Sequence, residues 1–402
     1  MDLVTTYVIA TVHEVALKGA NRRWFERTLV QNVRAALKGL PVAEVSIPAR
    51  VVIRFAEPVD WPEVHGRLDT VFGLNGMMPV EHAGTTYDQL ERFVGDRAGS
   101  LAGNTFAVRT KRSDKRFPLT SGEVNRRLGA FVNAATGLGV DLEHPDVTIH
   151  VLVQSDGLYV YKDHYRGPGG LPVGTSGRVL LLMSGGIDSP AAAYLAMKRG
   201  TKAHYVHFHS APYTSDTSVT KVERLVRLLT RHQGSSRLAV VPFGDCQREI
   251  VGSCPERLRV VLYRRMMLRA AERIARRWRC EALVTGEALN QVASQTLENM
   301  AAIDRVARLP VLRPLVGFDK QEIIAVAEHA GTYEISILPH QDCCSFLQPL
   351  HPATRTTNAA CEEAEAAFDV EGWARRLQHD ATVTVVQHRW DGATERVPVA
   401  AG

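Results

Sequence analysis

Val179-Leu-Leu-Leu-Met183 runs directly into Ser184-Gly185-Gly186-Ile187-Asp188-Ser189-Pro190. Five consecutive apolar residues read as a strand buried on both faces, as in a parallel sheet. Two glycines then turn the chain, and Pro190 suits the first turn of a helix because it has no N–H to lose there. Downstream, helical and strand-like stretches alternate: Pro190–Lys198, Ala203–Phe208, Val219–His232, Leu238–Pro242, Glu256–Trp278 and Ala282–Thr285. That alternation predicts a doubly wound parallel sheet.

The turn itself carries chemistry. Backbone N–H groups at a helix N-terminus form a ready site for a pyrophosphate. The Ser184 and Ser189 hydroxyls can add donors. Asp188 places a carboxylate where it would repel phosphate unless a Mg²⁺ bridged the two. No Lys-Ser/Thr pair closes the motif, so it is not a Walker loop. A bare Gly-Gly turn would read as plain strand-to-helix geometry; the full Ser-Gly-Gly-Ile-Asp-Ser after a buried strand favours function. It resembles the PP-loop of ATP pyrophosphatases, which cleave ATP to AMP and pyrophosphate and adenylate a carbonyl oxygen.

Upstream of the turn the patterning is different. Tyr7–Val12 and Val51–Phe55 read as strands around a helix from Arg22 to Lys38, with Phe25, Leu29, Val33 and Leu37 at helical spacing. A second α+β region runs from Pro62 to Tyr165 and ends in strands Val147–Val153 and Gly157–Tyr161. A Gly/Pro-rich stretch, 166–175, reads as a linker with many permitted backbone conformations. The tail from Ala359 has no assignable task. The 402 residues, 23% of them charged, carry a net charge of +5, the balance of a soluble enzyme compatible with a polyanionic partner. Cys246, Cys254, Cys280, Cys343, Cys344 and Cys361 form no CxxC pairs, which disfavours zinc or an iron–sulfur cluster and suits a reducing compartment. With no secretion signal and no spanning apolar run, a cytoplasmic protein with no membrane association is expected.

Several further segments, in order, resemble the tRNA 4-thiouridine synthetase family. They are Glu14-Val-Ala-Leu-Lys-Gly-Ala-Asn-Arg22, Lys111-Arg-Ser-Asp-Lys-Arg-Phe-Pro118, His207-Phe-His-Ser210, Arg264-Arg-Met-Met267 and Thr285-Gly-Glu287. Gln291-Val-Ala-Ser-Gln-Thr-Leu297, Asp319-Lys320, Gly331-Thr-Tyr-Glu-Ile-Ser336 and Asp342-Cys-Cys344 follow. The resemblance implies a ferredoxin-like domain (1–60), a THUMP RNA-binding domain (61–165), a linker (166–176) and a PP-loop domain with a C-terminal tail (177–402). It implies an ATP site lined by Leu182, Met183, Ser184, Gly185, Gly186, Ser189, His207, Phe208, Arg264, Gly286 and Gln295. Asp188 and Lys320 would serve activation, and Cys343 would be the catalytic cysteine. Asn290 stands where the family usually has Gly, a change a left-handed turn tolerates.

The implied reaction adenylates uridine 8 of tRNA and replaces O4 with sulfur from a Cys343 persulfide. ATP and Mg²⁺ are the expected cofactors, and a cysteine desulfurase is the expected sulfur donor. A homodimer is expected, and the short tail reads as the family's short form, without a rhodanese domain. Lys111, Arg112, Lys115 and Arg116 would contact tRNA phosphates; as a charge run alone they would read as solvated surface. His204, His207 and His209 on one strand lack the converging ligands of a metal site, and no metal-ligating set is expected. The arginines between 257 and 279 stay open between a solvated face and RNA, except Arg264. Two other functions compete. One is sulfur transfer to a small sulfur-carrier protein for thiazole (thiamine) synthesis. The other is a catalytically silent tRNA-binding protein, against which the intact loop, Lys320 and Cys343 speak.

Overall fold

The computed structural model describes residues 5–47, 50–210, 213, 217–339, 347, 349–390 and 396–398. Cys343 and Cys344 lie outside the described residues. The chain divides into two compact units at Gly170–Leu171.

The first unit contains β1 (Tyr7–Thr11), α1 (Arg22–Ala36), β2 (Val42–Ser46), β3 (Val51–Phe55), α2 (Trp61–Leu68) and β4 (Gly76–His82). α3 (Tyr87–Ala98), β5 (Thr105–Arg112), α4 (Ser121–Thr136), β6 (Gly139–Val140), β7 (Val147–Gln154), β8 (Gly157–Tyr161) and β9 (Tyr165–Arg166) complete it. Its strands run β2-β3-β1-β4-β8-β7-β5-β6 in a single sheet, with β9 on β4. β4 joins the two halves, pairing antiparallel with β1 and with β8. The strand β2 escapes the sequence reading because only Val45 is buried along it, so it shows no alternating apolar face. Helix α1 buries Phe25, Leu29 and Val33, the stripe its spacing predicts. Helices α3 and α4 each start on a capping box, Thr86 with Gln89 and Thr120 with Glu123. They bury Leu90, Val94, Val124, Leu128 and Val132 against Phe106, Ile149 and Val151 of the sheet.

In the second unit the order is β10 (Arg178–Leu182), α5 (Asp188–Lys198), β11 (Lys202–His209), α6 (Thr217–Thr230), β12 (Ser235–Pro242), α7 (Gly244–Ser253) and α8 (Arg259–Arg277). Then come β13 (Ala282–Val284), α9 (Leu297–Asp304), β14 (Val311–Leu312), α10 (Lys320–His329), α11 (Tyr333–Ser336), α12 (Asn358–Glu365), α13 (Val370–His379), β15 (Thr382–Gln387) and β16 (Arg396–Pro398). The sheet order is β14-β13-β10-β11-β12-β15-β16. Strands β14 to β12 are parallel, as the alternation predicts; β15 joins β12 antiparallel. The chain winds outward from β10 through β11 to β12, then returns to β13 on the other side of β10. A crevice opens at that reversal beyond the strands' carboxyl ends, where such sheets bind ligands.

The boundary between the two units falls within the Gly/Pro-rich stretch, whose backbone is hydrogen-bonded. Gly169 N–H donates to Leu74 O, Leu171 N–H to Lys198 O, and Gly174 and Ser176 N–H to Gly200 O. Its prolines and glycines fit tight turns whose backbone polar groups are satisfied. The tail is also structural. α12 and α13 cover α8, and β15 extends the sheet. Among the described residues no helix is long and apolar enough to cross a membrane.

Candidate active site

At the carboxyl end of β10 the chain turns through Ser184–Ile187 and enters α5 at Asp188. Gly185 has φ +88°, a left-handed conformation that favours glycine. The loop is held by its own hydroxyls: Ser184 N–H donates to Ser189 Oγ at 3.1 Å, and the two Oγ atoms lie 3.2 Å apart. The adjacent strand β13 ends in Thr285-Gly286-Glu287. An added Cβ at Gly286 would lie 2.7 Å from Ser189 N and 2.8 Å from Asp188 C. Glycine is therefore what lets the β13 exit press against the start of α5.

These two loops form the floor of a cavity of about 370 Å³. Leu182, Met183, Phe208, Val260, Met267 and Ile303 give it an apolar wall, and Ser184, Ser189, Arg264 and Gln295 give it polar points. At its mouth Asp188 is held from two sides. Lys320 Nζ lies 2.7 Å from Oδ1, and Gln291 Nε2 donates to Oδ2 at 3.1 Å. Lys320 opens helix α10 behind Asp319, which caps that helix in a box with Glu322. A cation in a first turn opposes the helix dipole; here a carboxylate across the cleft offsets it. Asp188 sits favourably, at the start of α5.

Behind the cavity Glu287 is buried and accepts from Arg264 and, at 2.7 Å and 2.9 Å, from Arg313 Nε and Thr285 Oγ1. Burial alone would raise its carboxyl, but Arg264, Arg313 and Thr285 hold it below its ordinary value. Arg313 is fixed in turn by Asp304. Glu287 therefore stays charged and anchors Arg264 in the cavity wall.

Of the expected site residues, Leu182, Met183, Ser184, Gly186, Asp188, Ser189, Phe208, Arg264, Gly286 and Gln295 line this cavity. Gly185, His207 and Lys320 do not; Lys320 reaches the site only through Asp188. Gly185 shapes the turn. His207 is buried, its Nδ1 2.8 Å from Met183 O and its Nε2 3.2 Å from Ser218 Oγ, because its position on β11 faces the neighbouring strand end and α6. Asn290 has φ +61°, the left-handed conformation expected of it. Gln291 and Glu287 stood inside the quoted motifs without an assigned role. Arg313 had no sequence signal, because only the fold brings it to Glu287.

The basic segment at the end of β5 and just beyond it divides by environment. Lys111, Lys115 and Arg116 are exposed. Arg112 donates to Phe117 O and Leu119 O and so braces its own loop. Arg116 forks onto Asp114. In helix α8 the open question closes toward structure for three arginines. Arg265, 1% exposed, and Arg269 share the Glu365 carboxylate of α12, and Arg273 pairs with Glu371 of α13. Cys246, Cys254, Cys280 and Cys361 are buried and reduced. Burial pushes the Cys254 thiol to about 11 and that of Cys280 to about 12, and raises Cys246 and Cys361 as well. None of these four is an available thiolate at neutral pH.

Three family models match the chain: a ThiI ferredoxin-like domain over residues 7–77, a THUMP domain over 87–163, and Thiamine biosynthesis protein (ThiI) over 174–370. A probable tRNA sulfurtransferase of Moorella thermoacetica is 46% identical over 90% of this chain and 92% of its own. Another, from Thermus thermophilus, is 45% identical over 91% and 90%. A crystal structure of a 4-thiouridine synthetase–RNA complex with bound ATP superposes with a TM-score of 0.86 at 35% identity, over 95% of this chain and 99% of that one. With relatives this similar along nearly its whole length, the chain belongs to the tRNA sulfurtransferase family.

Proposed function

We propose that the chain converts uridine 8 of tRNA to 4-thiouridine, using ATP for activation and a persulfide on Cys343 as the sulfur source. The observation that carries this reading is the loop Ser184–Ser189 on the floor of a nucleotide-sized cavity, with Asp188 of that loop paired directly with Lys320. The similar 4-thiouridine synthetase, with its bound RNA and ATP, supports the substrate assignment.

In the proposed reaction O4 of the uridine attacks the α-phosphorus of ATP and pyrophosphate leaves. The target base must first leave the tRNA stack. The apolar wall from Leu182 to Met267 takes the adenine and sugar, and the Ser184–Ser189 amides and hydroxyls take phosphate oxygens. Lys320 neutralises charge on the departing pyrophosphate. Asp188 offers the hard carboxylate oxygen that Mg²⁺ takes alongside substrate phosphates, so the residues fit that ion, which would supply charge neutralisation there. The terminal persulfide sulfur then attacks C4, and AMP departs with O4. A second thiol must reduce the remaining sulfur–sulfur bond, releasing 4-thiouridine and leaving a disulfide with Cys343.

Lys111, Lys115 and Arg116 are the proposed phosphate-binding side chains, with Arg112 as their brace. The working unit is a homodimer in the cytoplasm, supplied with sulfur by a cysteine desulfurase; family resemblance supports these three statements. A second reading, sulfur transfer to a carrier protein's carboxylate, is favoured by the thiamine-synthesis description of the matching family model. Pyrophosphate release separates the readings. It should rise with tRNA and fall to background when uridine 8 is replaced by cytidine. Release that follows a carrier protein and ignores tRNA would support the second reading, and no release with either would mark a silent binding protein.

A further inference from the structure

Outside the cavity, a buried lysine has no part in the reaction described above. Lys221 lies one turn into α6, only 4% exposed. Its Nζ donates to Ser336 O and to Leu338 O, both at 2.6 Å. Ser336 ends α11, and Leu338 stands five residues before Cys343 in the sequence. Three residues before Lys221 on the same helix, Ser218 contacts His207, whose other ring nitrogen meets Met183 O at the entrance of the phosphate loop.

A continuous line of hydrogen bonds and helix backbone therefore runs from Met183 through His207, Ser218 and one turn of α6 to Lys221, and on to Ser336 and Leu338. Water could satisfy two carbonyls at a chain exit. Burying an ammonium there instead is costly, and the two short charge-assisted bonds that offset the cost also fix the backbone that carries both carbonyls. The desolvation also lowers the proton affinity of Lys221. Every member of the line is a hydrogen-bonding group, and none but Met183 lines the cavity.

We propose that Lys221 is a positioning residue for sulfur transfer. It fixes the backbone from which the Cys343 segment departs, and the His207–Ser218 hydrogen bond refers that point to the loop that holds the nucleotide. The proposal rests on the reading that Cys343 carries the sulfur. It predicts an effect on the second half-reaction that spares the first.

The experiment compares wild type, Lys221→Met and Lys221→Arg with ATP, tRNA, a cysteine desulfurase and cysteine. AMP release, persulfide loaded on the chain and 4-thiouridine are measured together, with thermal melts of each variant. Lys221→Met should keep AMP release and persulfide loading within about twofold of wild type. Its 4-thiouridine should fall by about 100-fold, the scale of a small misplacement of a reacting group. Lys221→Arg, which keeps charged donors, should recover much of that loss. Should Lys221→Met fail to fold, Lys221→Gln carries the same comparison with a shorter donor. Parallel loss of AMP release and 4-thiouridine, or unchanged 4-thiouridine, would overturn the proposal. Wild type that releases AMP with tRNA but never forms 4-thiouridine, or Cys343→Ser that still forms it, would overturn the sulfur reading as well.

Discussion

Asp188 shows how one side chain can be legible in a sequence while its partners are not. Its place in Ser-Gly-Gly-Ile-Asp-Ser marked it for phosphate chemistry, and Lys320 was marked by the family motif. That the two meet at 2.7 Å, with Gln291 completing the carboxylate, follows only from the winding that brings α10 beside α5. Asp188→Ala should reduce tRNA-dependent pyrophosphate release by about 100-fold or more, the scale of losing a preorganised charge. Its tRNA affinity should stay unchanged in a filter-binding titration; wild-type release would remove Asp188 from activation. Gly286 makes a second residue-scale case. Gly286→Ala places a Cβ against backbone atoms that cannot swing aside. Denaturant titration should show a loss of about 1–3 kcal/mol from overpacking, with ATP affinity falling alongside. A variant with wild-type stability would mean that the β13 exit yields more readily than its close packing implies.

At the scale of elements, apolar periodicity names some elements and passes over others: β4, though mostly buried, is interrupted by Pro79 and escapes the sequence reading, as does β5. Helix α1 and strands β3 and β8 follow from their patterns, whereas β2 has a single buried residue and left no pattern. The arginines of α8 were ambiguous because a cation facing solvent and a cation facing Glu365 have the same spacing. The tail that supplies Glu365 had no readable role. Glu365→Ala should cost about 3–5 kcal/mol, because it leaves Arg265 buried without a carboxylate. The pH dependence has a definite sign. Burial would raise the Glu365 carboxyl, but Arg265 and Arg269 hold it below its ordinary value of 4.5. The stability it contributes is therefore fully present above pH 4.5 and is lost as pH falls through the lowered folded value. Thermal melts should fall over that acid window in wild type and fall less steeply in Glu365→Gln. Equal slopes would show that the pair does not govern acid unfolding. At the end of β5 and just beyond it, Lys111→Ala with Lys115→Ala should reduce the salt slope of tRNA binding by about one for each phosphate no longer neutralised. Arg112→Ala should instead destabilise its loop, since that side chain braces two carbonyls. An unchanged salt slope in the double variant would make the two lysines solvated surface.

For the whole molecule, the decisive feature is the reversal at β10. It places the loop after β10 beside the loop after β13, and so converts two short motifs about a hundred residues apart into one cavity. That reversal could be inferred as a class from alternating strands and helices, but the order β13-β10-β11 could not, since any of several windings gives the same alternation. The central claim joins that cavity to a sulfur-carrying cysteine in one chain. Its most direct test is mass analysis of tRNA nucleosides after incubation with ATP, Mg²⁺, a cysteine desulfurase and cysteine. 4-Thiouridine should appear at position 8 with wild type, be absent without ATP, and be absent with Cys343→Ser while AMP release continues. No 4-thiouridine from wild type, or undiminished 4-thiouridine from Cys343→Ser, would contradict it.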